Sequence, residues 1–370
     1  MYKLMTPGPT MVKENVRLAR SAETPNPDFD LAFYDEYKET CELLSKLLHT
    51  QNESLILGGE GILGLEAACA SFTEAGDKVL VLDNGVYGKG FADFVKMYGG
   101  VPTLYTTDYE ETIDVIALKK YLENNHDFKY ATVVHCDTPS GMLNDIDSIC
   151  PLLKNYGILT VVDAVSSMFG HDIYVDEAQI DILCGGSQKA LSAPAGLTMV
   201  ALSKDAKHSM QNRKTPIAAF YANLTIFENY YENKWFPYTM PISDIYGLRQ
   251  ALYNIDQDKD IVKRHERIAS AVRKALIDAG FSLYARNGYS NTVTVFKVPE
   301  GITAEEVLHV MKETHHIMLA GSFDVLAGMV IRIGHMGTNA NVEDVKETLM
   351  ALEKTLISLG MNLSLHFSGY

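Results

Sequence analysis

Apolar residues in the first half of this chain form short runs that alternate with stretches of helical periodicity. Leu31 to Leu48, for example, places its apolar residues at helical spacing. Strands alternating with helices of this length predict right-handed crossovers and a mostly parallel sheet, and therefore an α/β fold. The predicted strands are Ser54–Leu57, Val79–Leu82, Val101–Tyr105, Ala131–His135, Ile158–Val162, Ile182–Cys184 and Leu197–Ala201. The predicted helices are Met11–Leu18, Leu31–Leu48, one beginning at Gly61, and others near Phe91–Tyr98, Ile116–Leu122 and Ile149–Leu153.

The pattern changes towards the C-terminus. Asn223–Tyr238 is aromatic and polar, and Ile242–Gly280 reads as largely helical. Further on, strands at Thr292–Val298 and Met329–Ile333 are each followed by a helix, beginning at Ala304 and Val342. This order predicts a smaller α+β domain. We therefore expect an extended N-terminal segment (1–20), a large domain (21–255) and a small C-terminal domain (256–370).

Composition narrows the possible functions. The chain has 370 residues and a formal net charge of −15, which argues against nucleic-acid binding because that requires a basic surface. No apolar run approaches the roughly 20 residues of a membrane span, and Pro7 interrupts any signal-peptide core. Five cysteines without framework spacing suit a reducing compartment, so the expected location is the cytoplasm.

The candidate chemistry centres on Lys189 and Asp163. Lys189 follows the strand Ile182–Cys184 and two glycines, and Asp163 ends the strand that begins at Ile158. Ligands of α/β sheets bind at this carboxyl edge. A single lysine after a strand is usually a solvated surface amine, but a lysine paired with an acid suits pyridoxal 5′-phosphate (PLP). That cofactor forms a Schiff base with a lysine and needs an acid at its pyridinium nitrogen.

A competing interpretation comes from Gly59-Glu-Gly-Ile-Leu-Gly64, which matches the dinucleotide-binding pattern G-x-G-x-x-G. It follows a strand, opens a helix, and has Asp83 at the end of the next strand, where a Rossmann fold holds the ribose. An NAD-dependent oxidoreductase is thus the distant alternative. In both interpretations the glycines allow a phosphate to approach a helix N-terminus. The dehydrogenase leaves the pair Asp163 and Lys189 unexplained.

Two further loops follow predicted strands at the same edge. Thr138 and Ser140 lie in His135–Gly141 and are most simply turn-forming residues, although beside a cofactor one hydroxyl would reach the phenolic oxygen of PLP. Tyr87, in Asn84-Gly-Val-Tyr-Gly88, offers a ring that suits stacking on a pyridine. For an isolated aromatic residue, packing in the core is the simpler explanation.

In this order, the motifs resemble the class-V, fold-type I PLP aminotransferases, in particular the alanine–glyoxylate and serine–pyruvate branch. The resemblance runs nearly end to end, and its most specific part is the pair Asp163-Ala-Val-Ser-Ser167 and Gly186-Ser-Gln-Lys-Ala190. The other matching segments are Pro7-Gly-Pro9, Gly59-Glu-Gly61, Leu65-Glu-Ala-Ala68, Asn84–Gly88, His135–Gly141, Asn212-Arg-Lys-Thr215, Tyr238-Thr-Met-Pro241 and Arg332-Ile-Gly334. It implies a seven-stranded sheet with flanking helices.

The resemblance also implies roles for individual residues. Lys189 would form the Schiff base with PLP, and Asp163 would pair with the pyridinium nitrogen. The other implied cofactor contacts are Glu60, Gly61, Ile62, Tyr87, Ser140, Val165, Gln188 and Thr239. The family often has a hydroxyl where Glu60 stands, and a carboxylate repels phosphate. We therefore expect the backbone N–H of this turn to bind the phosphate and the Glu60 side chain to turn away.

The implied substrate site is formed by Arg332, which would bind the substrate carboxylate, and by the backbone of Gly8. An unpaired arginine inside a strand would otherwise be costly. The implied reaction is a ping-pong transamination from an alanine- or serine-like amino acid to a glyoxylate- or pyruvate-like 2-oxo acid. The resemblance also implies a homodimer, with Thr239 reaching the neighbouring site. Phe236 stands where the family has a tyrosine that contacts phosphate from the partner, with Tyr238 nearby.

Other activities of the same fold are weighed against this one. A cysteine desulfurase requires a nucleophilic cysteine late in the chain, whereas all five cysteines lie between Cys41 and Cys184. A non-enzymatic PLP-binding protein would not need Lys189, Asp163 and Arg332 together. A 2-aminoethylphosphonate or ureidoglycine aminotransferase of the same family remains open.

Overall fold

The structure, a computed structural model, describes residues 2–363 and residue 367. Its strands are β1 (Lys3–Leu4), β2 (Glu53–Gly58), β3 (Lys78–Asp83), β4 (Val101–Thr106), β5 (Tyr130–Val134), β6 (Cys136–Asp137), β7 (Met142–Leu143), β8 (Leu159–Asp163), β9 (Ile182–Gly186), β10 (Leu197–Leu202), β11 (Val293–Lys297), β12 (Ile317–Met318) and β13 (Val330–Gly334). Its α-helices are α1 (Glu14–Arg20), α2 (Leu31–Leu47), α3 (Gly61–Phe72), α4 (Val86–Met97), α5 (Val115–Leu122), α6 (Ile146–Asn155), α7 (Lys204–Gln211), α8 (Tyr230–Asn233), α9 (Ile242–Gln257), α10 (Ile261–Asp278), α11 (Ala304–His315) and α12 (Val342–Ser358). Among the residues described, no helix has the length and apolarity needed to cross a bilayer.

A seven-stranded sheet forms the centre of the larger part of the molecule. The strand order is β2-β10-β9-β8-β5-β3-β4. Strand β10 runs antiparallel to β2 and β9, and the other neighbours are parallel. Strands β5, β9 and β10 are buried along their whole length, as expected where helices cover both faces. The predicted α/β class and mostly parallel sheet are confirmed.

The C-terminal part has its own apolar core. Strands β11 and β13 pair antiparallel, and they place Val295 opposite Arg332. Helices α10, α11 and α12 contribute buried residues to this core, which also includes Met5 from the N-terminal segment. Strand β1 pairs with β12, so the N-terminal segment lies against the C-terminal part. The domain boundaries given above stay a prediction.

Three elements of the structure differ from the predicted ones. Helix α1 begins at Glu14, three residues later than predicted, and extends to Arg20. The region Ile242–Gly280 contains two helices, α9 and α10, with a break at residues 258–260. Helix α7 was missed because it is short and polar, although its N-cap Ser203 accepts a hydrogen bond from the Ala206 N–H.

Candidate active site

Lys189 and Asp163 line one cavity at the carboxyl edge of the central sheet. Strand β8 ends at Asp163, and the neighbouring strand β9 ends at Gly186, shortly before Lys189. The cavity is open to solvent, and the empty space within it and at its mouth is about 490 Å³. Its wall consists of Glu60, Ile62, Leu65, Tyr87, Cys136, Thr138, Asp163, Val165, Ser166 and Lys189. The fold thus brings together side chains from the segments at the ends of five strands (β2, β3, β5, β8 and β9), as parallel sheets do at this edge.

The Lys189 amine is held by the N-terminal segment. Its Nζ donates a hydrogen bond to the Pro7 carbonyl oxygen at 2.6 Å. Burial lowers the pKa of Lys189, and the nearby guanidinium of Arg332 acts in the same direction, against the carboxylate of Glu60. A lowered pKa increases the fraction of neutral amine, which is the form that attacks a carbonyl carbon. The surroundings of Lys189 therefore favour its nucleophilic form more than water does.

Gly8 lies directly against the Lys189 side chain. Its φ is +99°, and a Cβ built there would lie 2.5 Å from Cδ and 2.6 Å from Nζ of Lys189. Only glycine combines this backbone conformation with so close an approach. Gly8 therefore contacts the lysine itself, and its predicted backbone contact to a substrate carboxylate stays a prediction.

We expect Gly8→Ala to lower kcat/KM by about 100-fold, because the added methyl group displaces the amine by an ångström or more. Gly76→Ala is the matched control, since Gly76 also has a positive φ of +85° but no atom within 4 Å of its Cβ position. Steady-state kinetics and thermal melting of both variants check this. Equal activity of the two variants would show that the contact with Lys189 is unimportant.

Asp163 is buried at the end of β8. Its Oδ1 accepts a hydrogen bond from the Val165 N–H at 2.8 Å. Burial raises the pKa of this carboxyl to about 7, against the opposing effects of that hydrogen bond and of Lys189. A raised pKa means that the carboxylate lacks a close cationic partner in the cavity. A protonated ring nitrogen would supply one.

Tyr87 and Val165 provide apolar surface in the same cavity. Tyr87 lies in the first turn of α4, and its backbone N–H donates to Asp137 Oδ1 at 3.2 Å. A Cβ at Gly61 would lie 2.9 Å from a methyl group of Val165, so glycine is required for Val165 to approach the N-terminus of α3. These contacts fix the two side chains that the resemblance assigns to the faces of the ring.

Ser140 lies outside the cavity wall, in contrast to Thr138. The Ser140 hydroxyl donates to Asp137 Oδ2 at 2.7 Å, and its N–H donates to the same oxygen at 3.2 Å. Its hydroxyl is therefore engaged within the turn. Thr138, Cys136 and Ser166 line the cavity instead. No role was predicted for Asp137 from the sequence. It follows the buried strand β5, as Asp163 ends the buried strand β8, and this placement could have identified it as a residue of the site.

Glu60 caps helix α3 with its own carboxylate. Its Oε2 accepts a hydrogen bond from the Ile62 N–H at 3.0 Å, and Gln188 Nε2 donates to Oε1. The expectation that this side chain turns away from the helix N-terminus is wrong. The free N–H groups and the dipole at a helix N-terminus attract a negative group. In this chain the Glu60 carboxylate is that group, and it accepts one of these N–H hydrogen bonds.

Arg332 is a largely buried arginine on β13. Its Nε donates to the Gly321 carbonyl at 2.6 Å, and its guanidinium lies 5.7 Å from the centroid of the Phe323 ring. Within residues 2–363, no carboxylate forms an ion pair with it. Its positive charge lowers the pKa of Lys189, which places it close to the cavity. A buried guanidinium without an ionic partner is a suitable site for a carboxylate ligand.

Thr239 does not belong to the cavity of its own chain. It is exposed, and its hydroxyl lies 3.5 Å from Asp28 Oδ2. Phe236 is buried and stacks on Tyr34 at a centroid distance of 4.6 Å, so it packs in the core of its own chain. Tyr238 stacks on Tyr221 at 4.4 Å. The structure therefore removes Phe236 as a replacement for the family's tyrosine.

Asp83 does not form a ribose-binding site. Its carboxylate accepts hydrogen bonds from the hydroxyls of Thr106 and Tyr109. At Gly64, a Cβ would lie 2.4 Å from the Thr198 methyl group, so this glycine serves the packing of α3 on β10. The glycine pattern thus has a structural explanation that requires no dinucleotide.

Metal chemistry would need a group of metal-binding side chains, and thiol chemistry would need a reactive thiol, in the described part of the chain. Among residues 2–363 and 367, no group of three or more His, Cys, Asp or Glu side chains could hold a metal ion. All five cysteines are buried free thiols, and burial raises the pKa of Cys136 in the cavity wall. A buried thiol with a raised pKa is a poor nucleophile.

Comparison with known proteins gives one consistent family. The profile of the family "Aminotransferase class-V" matches residues 16–347. The pyridoxamine–pyruvate transaminase of Mesorhizobium japonicum is 33% identical over 91% of this chain and 87% of that protein. The ureidoglycine–glyoxylate aminotransferase of Bacillus subtilis has a TM-score of 0.96 at 27% identity, covering 100% of this chain and 96% of that one. An alanine–glyoxylate aminotransferase from Nostoc has a TM-score of 0.92 at 28% identity, covering 96% and 95%.

Proposed function

The chain belongs to the class-V aminotransferase family and is a transaminase, and we propose that it exchanges an amino group with a small 2-oxo acid through a pyridoxal ring bonded to Lys189. The observation that carries this proposal is the position of Lys189 and Asp163 in one cavity. Because the chain belongs to the class-V aminotransferases, the alternative of an NAD-dependent oxidoreductase is excluded.

The cavity fits the ring of the family's cofactor. Class-V aminotransferases in general depend on PLP. The lowered pKa of the Lys189 amine suits a bond to the aldehyde carbon, and a ring N–H would provide a cationic partner for the buried carboxyl of Asp163. Tyr87 and Val165 supply apolar surface for the ring. We propose these four residues as its ligands.

The proposed reaction assigns one task to each residue. When bound, a pyridoxal ring accepts the electron pair left when the substrate Cα loses its proton. Asp163 keeps the ring nitrogen protonated, and the free Lys189 amine carries the proton between Cα and C4′. The Pro7 carbonyl, which accepts a hydrogen bond from Nζ, orients that amine. Arg332 binds the substrate carboxylate. When the ring stays bound through both half-reactions, the first product leaves before the second substrate binds, and we expect ping-pong kinetics.

We propose alanine- or serine-like amino acids and pyruvate or glyoxylate as substrates. Pyruvate and glyoxylate are the acceptors in the names of the related enzymes. Among the described residues, Lys189 is the only basic one in the cavity wall, which disfavours a phosphonate donor because its second negative charge would have no partner there. A ureidoglycine donor is the second candidate, because that enzyme shares this fold over the full chain.

A panel of amino donors, each tested with pyruvate and with glyoxylate, decides among these substrates. We expect alanine or serine to give the highest kcat/KM. A higher value for ureidoglycine or 2-aminoethylphosphonate would reject the substrate proposal and leave the transaminase assignment intact. Absence of any amino transfer, with pyridoxal or PLP supplied, would reject the proposed function.

The role of Arg332 can be tested by a charge-removing substitution. Arg332→Gln should raise KM for the 2-oxo acid by about 10- to 100-fold, because it removes a hydrogen bond to a charged group worth ~1.5–3 kcal/mol. Arg332→Lys should recover only part of the loss, since an ammonium group lacks the bidentate geometry. Binding of an amine without a carboxylate serves as the control and should not change. An unchanged KM would assign carboxylate binding to another residue.

We propose that the active unit is a homodimer. Phe29, Phe220, Tyr221 and Trp235 are each more than half exposed, at 82%, 57%, 53% and 56%. We call these four residues the aromatic surface. The contact between Thr239 and Asp28 joins the segments that carry Trp235 and Phe29, and the rings of Phe220 and Tyr221 contact each other. Exposed aromatic residues are enriched at interfaces. Thr239 at its edge is the residue proposed to reach the cavity of the partner.

Subunit mixing tests the dimer. Lys189→Ala and Thr239→Arg subunits should each be inactive alone, the second because a bulky cation blocks the partner's cavity. A mixture should regain roughly a quarter of wild-type activity, because half of the dimers are hybrids and each hybrid has one intact site. Sedimentation at the assay concentration is the accompanying measurement. A fully active monomer would contradict the proposal.

A further inference from the structure

The side chain of Glu60 occupies the place where a phosphate would bind. Helix α3 is twelve residues long, and its N-terminus faces the cavity that contains Lys189. The Glu60 carboxylate accepts the hydrogen bond of the Ile62 N–H at this terminus and also that of Gln188 Nε2. A phosphate would have to displace the carboxylate from both donors and would still meet its negative charge at short range.

Two further observations concern the same end of the cavity. Among the described residues, Lys189 is the only basic one in the cavity wall, and it is required for the aldehyde end of the ligand. Phe236, which stands where the family has a phosphate-binding tyrosine, is buried in its own chain and does not take over that contact. Four of the residues expected at the ring end, by contrast, line the cavity: Lys189, Asp163, Tyr87 and Val165. Ser140 does not, but Thr138 of the same turn does. The departures from the family pattern that concern charge therefore lie at the phosphate end.

The groups at this end suit a hydroxyl. A carboxylate such as that of Glu60 only accepts hydrogen bonds. The 5′-hydroxymethyl group of unphosphorylated pyridoxal carries an O–H that can donate to it. A phosphate dianion carries no such donor. The hydrogen-bonding chemistry thus favours the alcohol over the phosphate ester.

We propose that the ring ligand of this transaminase is unphosphorylated pyridoxal or pyridoxamine, selected by Glu60, and that it turns over as a substrate. The inference rests on the proposed function and specifies its ligand. It agrees with the related enzyme named for pyridoxamine and pyruvate. Without a phosphate anchor, the amine form has no covalent bond to the protein and keeps only the pairing of its ring nitrogen with Asp163, so it dissociates after the amino transfer.

The proposed exchange is balanced without an external oxidant. Pyridoxamine loses its C4′–N bond and two electrons and becomes the aldehyde pyridoxal. The 2-oxo acid gains the amino group at Cα and the same two electrons and becomes an amino acid. The carbonyl oxygen is exchanged through water, and Lys189 carries the proton from C4′ to Cα. Pyridoxamine and pyruvate therefore give pyridoxal and alanine.

Titration of ligand-free protein with pyridoxal and with PLP, followed by absorbance, tests the selection. We expect wild type to bind pyridoxal on the order of 100-fold more tightly than PLP, given the repulsion between two like charges a few ångströms apart. Glu60→Ser should reverse or abolish this preference. Glu60→Gln, which keeps the size and removes the charge, should lie between them. Borohydride reduction and peptide mapping identify which aldehyde is attached to Lys189.

Asp114→Ser controls for the loss of a helix cap, because Asp114 caps α5 in the same manner and lies outside the cavity wall. It should leave the ligand preference unchanged. Tighter binding of PLP than of pyridoxal by wild type would overturn this inference and leave the transaminase proposal standing. An unchanged preference in Glu60→Ser would overturn the role of Glu60. Failure of both aldehydes to attach to Lys189 would overturn the proposed function itself.

Discussion

Lys189→Ala is expected to abolish amino transfer, with a loss of about 10⁴-fold or more in kcat. The substitution removes both the nucleophile that attaches the aldehyde and the base that moves the proton between Cα and C4′. Each role contributes separately, and a single proton-transfer group already accounts for ~10²–10⁴-fold. The lowered pKa of Lys189 prepares the amine for both roles. Within the described part of the chain, no other basic side chain lines the cavity to replace it.

Borohydride trapping provides a readout that does not depend on turnover. Wild-type protein incubated with pyridoxal or PLP should retain the reduced ligand on the peptide that contains Lys189, and the variant should retain none. Lys120→Ala, which removes an exposed lysine of α5, is the control and should be labelled like wild type. Labelling of Lys189→Ala at another lysine would place the reactive amine elsewhere.

Asp163→Asn is expected to lower kcat by about 10²–10⁴-fold while the fold is retained. A neutral amide cannot keep the ring nitrogen protonated, so the ring becomes a weaker electron acceptor. The attachment of the aldehyde to Lys189 should survive, because it does not require that proton. Kinetics combined with borohydride trapping separates the two effects. Turnover near the wild-type level would contradict the role of Asp163.

The same substitution should change how stability depends on pH. Burial raises the pKa of Asp163 from its ordinary 3.8 to about 7 in the folded, ligand-free protein. The folded state therefore binds more protons than the unfolded state between these values, and wild type loses stability as the pH rises through this window. Asp163→Asn has no carboxyl at this position, so it should not lose stability for this reason as the pH rises.

Urea unfolding of ligand-free protein at pH 4 and pH 8 measures the difference. Relative to wild type, Asp163→Asn should gain roughly 2–4 kcal/mol between the two pH values, since one pKa unit corresponds to about 1.4 kcal/mol. The contributions of other titrating groups, such as the buried His135, to the pH dependence of stability cancel in this comparison, because both proteins contain them. A difference that is independent of pH would show that Asp163 titrates normally.

The sequence alone determined the α/β class and the pairing of Lys189 with Asp163. Strand and helix periodicities depend on neighbours within a few residues, so they can be read without the fold. Parallel strands also end at a common edge, and polar residues that follow separate strands therefore converge there. Those two regularities were sufficient to place Asp163, Lys189 and Tyr87 in one region.

The tertiary structure decided which atoms of that region remain available. Pro7 and Gly8 lie about 180 residues from Lys189 in the chain, yet they hold its amine. The Ser140 hydroxyl is taken up by Asp137, and the carboxylate of Glu60 caps α3. Side-chain rotamers and hydrogen-bond partners depend on contacts between distant segments, which local periodicity does not encode. For this reason the sequence indicated a cofactor of the PLP type, whereas the orientation of Glu60 pointed to a ligand without phosphate.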